Sequence, residues 1–281
     1  MKKEHMLLSA LLLLGACSAA EDITPRNITL APGNETTTAA FNGQINDLVA
    51  NAAKSYVTLA VKDPTLDSSQ EVGVPRETIT AASGFAIDNE GHVLTAAHVA
   101  IASGWLVTAR GPNGVKYQGR VLATMPKMDM AIVKLVRYGA LRPVTPAASP
   151  CLDLGAPIYS LGKPRKKGDT ARLGSVVSLS FGRPVSYQGY GYSDAMVLRM
   201  QTRAGESGGP VFNADGKLIG MIVSTLSDGT GRPLDLAHAV TMPMLADFVC
   251  SKIDCAPAWR ALVNQSVNNC PKSKTARKKS G

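Results

Sequence analysis

From about residue 55 to 242 the chain sets short Val-, Ile- and Leu-rich runs between Gly, Pro, Asn and Asp at close spacing, and no long helical period interrupts them. That spacing predicts an all-β barrel or sandwich. Ser55 to Val61 opens the first strand. The strand pattern lapses in the proline-rich segment 142–150, which divides the strands into two groups. Ahead of them Ile45, Leu48, Val49 and Ala52 recur at helical spacing and predict a short helix packed on the domain. Behind them, residues 243–250 predict a closing helix. Pro243 is tolerated in a first turn, and Leu245, Phe248 and Val249 share a face.

The N-terminal stretch follows another rule. Lys2 and Lys3 precede an apolar run from Met6 to Leu14, the charged region and short hydrophobic region of a secretory signal. The run is too short to cross a membrane as a mature helix. Leu14-Gly15-Ala16-Cys17 resembles a bacterial lipobox, which implies cleavage before Cys17, a lipid on its thiol and, with Ser18 next, sorting to the outer membrane of the envelope. The expected organisation is a lipoprotein signal peptide over 1–16, a flexible tether over 17–43, the all-β domain over 44–250, and a C-terminal extension with a basic tail over 251–281.

Charge and cysteine content refine this picture. The formal charge is +9, but Lys272, Lys274, Arg277, Lys278 and Lys279 lie in the last ten residues with no acid among them. A basic tail is usually solvated, and it can also hold a chain near anionic lipid or cell-wall polymer. Nucleic acid is not an expected partner outside the cytoplasm. With Cys17 assigned to lipid, Cys151, Cys250, Cys255 and Cys270 remain, an even number suggesting two disulfides. Three connectivities are open, and pairing Cys250 with Cys255 and Cys151 with Cys270 is preferred. No histidine lies at ligand spacing from a cysteine pair, so no metal is expected.

Candidate chemistry centres on Gly205-Glu206-Ser207-Gly208-Gly209-Pro210. A hydroxyl that attacks a carbonyl must stand clear of neighbours, with backbone amides turned into the same space, and glycine permits both. A serine also needs an adjacent base, itself oriented by a third group. Of four histidines, His5 lies in the signal and His92 follows a turn, whereas His98 ends an apolar strand in Thr95-Ala96-Ala97-His98. Asp129 opens the apolar strand 128–135, and a buried carboxylate there needs a hydrogen bond such as an imidazole Nδ1–H supplies.

In that order, Thr95-Ala96-Ala97-His98, Asp129-Met130-Ala131-Ile132 and the Ser207 stretch resemble the three signature blocks of chymotrypsin-fold serine proteases. Ser83-Gly84-Phe85-Ala86-Ile87 and Leu161-Gly162-Lys163-Pro164 resemble blocks of the bacterial Deg/HtrA branch. The resemblance spans about 55–250. It implies two six-stranded antiparallel β-barrels with the site in the cleft between them, and a serine endopeptidase acting on polypeptides at the cell envelope without a cofactor. The departures are Val99 where a cysteine often follows the histidine, and the lack of an Ile-Val-Gly-Gly activation site. The residues after Cys250 leave no room for the PDZ domain many Deg/HtrA proteases carry.

By that resemblance Ser207 is the nucleophile, His98 the base and Asp129 its orienting carboxylate, with the amides of Gly205 and Ser207 as oxyanion donors. Gln201 would floor the primary specificity pocket, a neutral floor disfavouring Lys and Arg, and Val223-Ser224-Thr225 would offer an edge to an extended substrate. Glu206 stands where the digestive branch keeps an Asp that pairs with a new N-terminus; without an activation site that pairing is not expected, so any latency would be set by loop order, and a simply solvated Glu206 is the other reading. His238 could line the pocket and favour Glu or Gln, but alternation with Ala237 and Ala239 points it elsewhere. Two other readings compete. Gly205 to Gly209 also fits the nucleophile elbow of α/β-hydrolases, with Asp228 or Asp235 and His238 following in order, but Gly208-Gly209-Pro210 opposes the helix an elbow must feed. The other is a lipid-anchored binding or chaperone module with this fold and little turnover.

Overall fold

The computed structural model describes residues 27–31, 38–65, 78–165, 167–230 and 232–271. The signal, Cys17 and the basic tail lie outside the described residues. In the first half, β2 (Tyr56–Lys62), β3 (Thr78–Ala86), β4 (His92–Thr95), β5 (Leu106–Arg110), β6 (Lys116–Met125) and β7 (Met130–Val136) close into a barrel of order β2-β3-β4-β7-β6-β5. All its pairings are antiparallel. Val57, Leu59, Val61, Val93, Val107 and Val133 fill it, as closure of a small barrel by alternating inward side chains requires.

The second barrel comprises β8 (Pro157–Gly162), β9 (Thr170–Ser178), β12 (Met196–Arg199), β13 (Pro210–Asn213), β14 (Leu218–Ser227) and β15 (Pro233–Thr241). Its order is β8-β9-β12-β15-β14-β13, and β13 pairs back to β8 to close it. Between β9 and β12 a two-stranded hairpin, β10 (Val185–Tyr187) and β11 (Tyr190–Tyr192), stands off the barrel. The linker runs where the proline-rich segment predicts. Arg142 and Val144 donate their amides to Lys54 and Ala86 of the first barrel, and Ala147 donates to Leu218 of the second. A third apolar cluster, with Tyr56, Phe85 and Ile132 on one side and Tyr159, Phe212 and Leu218 on the other, seals the barrels together.

The expected helices are α1 (Ile45–Ala52) and α3 (Met242–Lys252); α2 (Ala97–Ala100) and α4 (Pro257–Arg260) are single turns. Two boundaries differ from expectation. The tether does not run to residue 43, because β1 (Thr29–Leu30) pairs in parallel with β9 at Thr170 and Ala171 and Phe41 is buried in the core. The domain does not stop at residue 250, because α3 continues to Lys252 and Trp259 and Leu262 are buried against it. Two apolar side chains in a polar tail sequence were too weak a periodic signal to place there. Disulfides join Cys151 to Cys270 and Cys250 to Cys255, the preferred pairing, so the chain is stapled to the linker past α4.

Candidate active site

His98 and Asp129 come from the first barrel. Strand β4 ends at Thr95, and the small residues Ala96 and Ala97 let the chain turn at once into α2, which presents His98 with its side chain a quarter exposed. The turn ends in strain: Ile101 has φ +66 and ψ −70, with Ala102 N–H donating to Ala100 O. A β-branched residue there is a real outlier, and such strain clusters at functional sites. Asp129 stands between the 3₁₀ turn 126–128 and β7 in the left-handed region, which Asp tolerates better than most residues. Its carboxylate is fully buried. One oxygen accepts the His98 backbone N–H at 2.9 Å, and the other accepts His98 Nδ1 at 2.8 Å, so the carboxylate fixes both the backbone and the ring.

Ser207 comes from the second barrel, in the turn before β13. Gly208 has φ +81, and a Cβ there would meet Ser83 O at 2.2 Å and Thr95 Oγ1 at 2.3 Å. Only glycine lets this turn dock against the first barrel at Ser83 and at Thr95, three residues before His98. The docking is hydrogen-bonded: Ser83 N–H donates to Ser207 O, Ser83 Oγ donates to Gly205 O, and Thr95 Oγ1 donates to Ser83 O. Ser207 is half-buried, and among the described residues its hydroxyl makes no hydrogen bond. In free enzymes such contacts commonly tighten only with substrate.

The carbonyls of this turn fix where its amides point, because a trans peptide sets N–H opposite C=O. Ala204 O accepts from Arg165 N–H and Glu206 O accepts from Gly209 N–H. The amides across those two peptide bonds are those of Gly205 and Ser207, and neither has a partner among the described residues. Glu206 N–H, between them, is taken by Arg203 O. Two unpaired donors beside a hydroxyl, on a turn docked at Ser83 and at Thr95, three residues before an imidazole held by a carboxylate, are the groups needed to deliver that hydroxyl to a carbonyl and receive the oxyanion.

Glu206 is not solvated. It is 2 % exposed, its two oxygens accept Arg172 Nε at 2.7 and 2.8 Å, and one accepts Arg203 N–H. Gly162 makes room for it, since a Cβ there would lie 2.7 Å from Glu206 Cγ. Burial pushes its carboxyl up from the usual range, while Arg172 and the Arg203 amide pull it back. Arg172 sits on β9, far away in sequence, so no local pattern pointed to it.

The hairpin β10–β11 supplies what sequence reasoning missed. Tyr187 OH donates to Asp129 Oδ2 and lies 3.4 Å from His98 Nδ1. The rings of Tyr187 and Tyr190 stand edge-on to the imidazole at 5.9 and 6.1 Å. Burial, then the Asp129 charge, holds the Tyr187 phenol far above its ordinary range, so it stays a donor. Tyr192 OH bridges Ser224 Oγ and His238 Nδ1, both at 2.8 Å, and burial pushes that phenol up to about 12. Three of the seven tyrosines fall within 187–192, a clustering that could have marked this hairpin.

Strand β14 pairs with β15 along most of its length but with β13 only over Leu218–Met221. Its other edge is therefore unpaired from Val223 onward, beginning where Gly208 and Gly209 exchange amide bonds with Ile222. Val223 is buried, so it can offer only its backbone, whereas Ser224 and Thr225 are part-exposed. Gln201 does not reach this edge. It is exposed, bonded to Asp235 and Arg203, and faces a cavity against β1. Thr202, one residue on, is buried with its Oγ1 2.7 Å from Thr225 Oγ1 and replaces it at the edge. His238 was expected to point away, yet Ala237 and Ala239 face the barrel interior, so alternation turns His238 outward, across from Ser224, into a cavity beside the hairpin.

Residues 82–221 match the trypsin-like peptidase domain family. HhoA of Synechocystis sp., named for a serine protease, is 32% identical over 256 residues, covering 82% of this chain. A DegP-like protein of Pseudomonas fulva, named for a periplasmic serine endoprotease, is 27% identical over 95% of this chain. The chain spans 64% and 58% of the lengths of these two relatives. Among solved structures, the active form of the Rv3671c protease from M. tuberculosis superposes with a TM-score of 0.61 at 21% identity, covering 82% of this chain and 91% of that one. The HtrA-type protease AlgW, solved with a decapeptide, gives 0.61 at 20% identity over 74% of this chain and 67% of its own. Both likenesses are of fold.

Proposed function

We propose that this chain, which carries a trypsin-like peptidase domain of the chymotrypsin-fold Deg/HtrA type, is a serine endopeptidase of exported polypeptides. The observation that carries the reading is the juxtaposition of the His98–Asp129 pair with the Ser207 turn and its two unpaired amides. Ser207 Oγ attacks the scissile carbonyl carbon while His98 Nε2 takes its proton. Asp129 holds the imidazole with Nδ1 as donor and stabilises its charged form. The amides of Gly205 and Ser207 receive the oxyanion, each contributing about 10² to 10³ in rate. Collapse expels the amine, protonated by His98, and leaves an acyl ester that water hydrolyses by the same relay. The free edge of β14 takes the substrate backbone as an added strand.

Location follows from the signal-like N-terminus and Cys17, which would anchor the domain by lipid to the envelope, facing the periplasm. Two disulfides support an oxidising compartment. The basic tail would add attraction to an anionic surface.

The test is hydrolysis of an unfolded, reduced protein by residues 18–281, wild type against Ser207→Ala. Cleavage by the wild type alone is expected. If the wild type leaves the protein intact while both forms bind it, the binding-module reading replaces this one.

A further inference from the structure

Among the described residues, one buried side-chain polar atom has no hydrogen-bond partner, and it is Nε2 of His238. The residue is 2 % exposed. A buried polar group left unpaired costs about 1–3 kcal/mol, so one that persists calls for an explanation. His238 borders a cavity of about 600 Å³ that also takes in Arg183, Tyr187, Ser224 and Thr225. Its Nδ1 is spent on Tyr192 OH, which fixes the ring with Nε2 on the opposite edge. Phe181 packs on the ring at 4.4 Å, and Arg183 lies over Phe181 at 4.7 Å, so a guanidinium stands at the same cavity.

The cavity is placed for a substrate. Ser224 and Thr225 belong to the unpaired edge of β14, and Tyr187 touches Asp129. A chain laid along that edge with its carbonyl over Ser207 would drop a side chain from its acyl half beside His238. No carboxylate lines this cavity. Asp194, whose charge His238 feels, is committed to Ser180 Oγ and the amides of Phe181, Gly182 and Ala195. Across the same strand, a second cavity shares Thr225 and is lined by Arg165, Lys167 and Arg203 with no acid. Among the described residues, both flanks of the binding edge therefore present donors and positive charge without a compensating carboxylate.

We infer that the His238 cavity is a subsite for a carboxylate side chain on the acyl side of the cleaved bond, with His238 Nε2 and Arg183 as its donors, and that the enzyme selects acidic segments of polypeptide. This rests on the peptidase reading. Burial keeps the His238 imidazole below its ordinary range, with Arg183 pushing the same way and Asp194 opposing. An incoming carboxylate reverses that balance by favouring the imidazolium, so selection for Glu over its uncharged isostere Gln strengthens as pH falls from 8 toward 6.

The experiment uses quenched fluorogenic peptides identical except for Glu, Gln, Leu or Lys at the second, third or fourth residue before the cleaved bond. With wild type, kcat/KM for Glu at one of these positions should exceed that for Leu at least about tenfold and that for Lys by more. In His238→Phe, which keeps the ring's volume, the ratio of kcat/KM for Glu to that for Leu should collapse to within about threefold; Arg183→Ala should lower that ratio to a lesser degree. Equal Glu and Leu rates in the wild type overturn the subsite. A second measurement is independent of turnover and of the variants' folding: the ring proton resonances of His238 in Ser207→Ala, titrated with pH with and without an acetylated Glu peptide. The peptide should raise the His238 midpoint, and an unmoved midpoint overturns the subsite even if peptides are cleaved. If no peptide is cleaved by the wild type but the midpoint moves, the subsite stands and the peptidase reading falls.

Discussion

Removing the cation from the buried pair beneath the Ser207 turn should destabilise the protein in a pH-dependent way. In Arg172→Met the stem is replaced by a flexible apolar chain of similar length, and Glu206, 2 % exposed, keeps only the Arg203 amide. Breaking a buried pair by removing one partner typically costs about 3–5 kcal/mol, a large share of a stability of about 5–15 kcal/mol. The carboxyl can escape part of that cost by taking a proton. Its folded pKa, already raised by burial with Arg172 present, rises further in the variant, whereas the unfolded value stays near ~4.3. A raised carboxyl is penalised only where the unfolded chain ionises it. The loss is therefore small at pH 5 and below, grows by at most about 1.4 kcal/mol per pH unit above the unfolded value, and reaches its plateau by pH 8. Urea midpoints at pH 5 and pH 8 read this directly. Peptide hydrolysis at pH 8 should fall with it, because Glu206 carries the carbonyl that aims the Ser207 amide. Arg172→Met/Glu206→Gln should recover most of the stability, since a carboxamide still accepts from Arg203. A loss below about 1 kcal/mol at pH 8, or an equal loss at both pH values, refutes the argument.

Tyr187→Phe removes a donor to the Asp129 carboxylate; hydrogen bonds to charged groups contribute about 1.5–3 kcal/mol, so kcat/KM should fall roughly 10- to 100-fold and the acid limb of the pH–rate profile should shift. Gly208→Ala puts a methyl 2.2 Å from Ser83 O at a φ of +81, and should abolish cleavage and cost several kcal/mol, read by thermal melting alongside a peptide assay. Ile101→Gly relieves the strained turn after α2 and should leave stability within about 1 kcal/mol of wild type despite the lost side chain, whereas an unstrained site would lose more. Removing the Cys151–Cys270 bridge frees a 119-residue loop and should lower the unfolding free energy by up to about 5 kcal/mol, against about 2 for Cys250–Cys255, measured as urea midpoints of the paired Ser variants.

The parts of the site that were legible are those whose chemistry sits in one stretch of chain. His98 after small residues, Asp129 at a strand start and Ser207 among glycines each announce themselves locally, and Ser83 and Thr95 of the first barrel dock the Ser207 turn. The short strands and close turn residues likewise gave an all-β barrel or sandwich, the resemblance to chymotrypsin-fold proteases implied two antiparallel barrels, and an even cysteine count left few pairings. What escaped depended on partners far apart in sequence. Tyr187 reaches Asp129 because a hairpin folds back over the first barrel. Arg172 meets Glu206 across 34 residues. Gln201 was misplaced by carrying a pocket floor across a shorter path to Ser207. For His238 the alternation was sound but its reference face was not, since Ala237 and Ala239 mark the barrel interior.

The two-residue strand β1 also sets a reach. If the domain is anchored through Cys17 as proposed, a tether running to residue 43 would let it stray about 90 Å from its anchor. With Thr29 and Leu30 fastened to β9, about a dozen residues separate Cys17 from the barrel, a reach of at most about 40 Å. The cleft would then patrol a shell little deeper than the bilayer is thick. On the proposed function, polypeptides emerging at or held on the membrane would meet the protease within that shell at high effective concentration, and those free in the bulk compartment would largely escape it. A strand too short to matter to the barrel's stability would thus decide which molecules are within range.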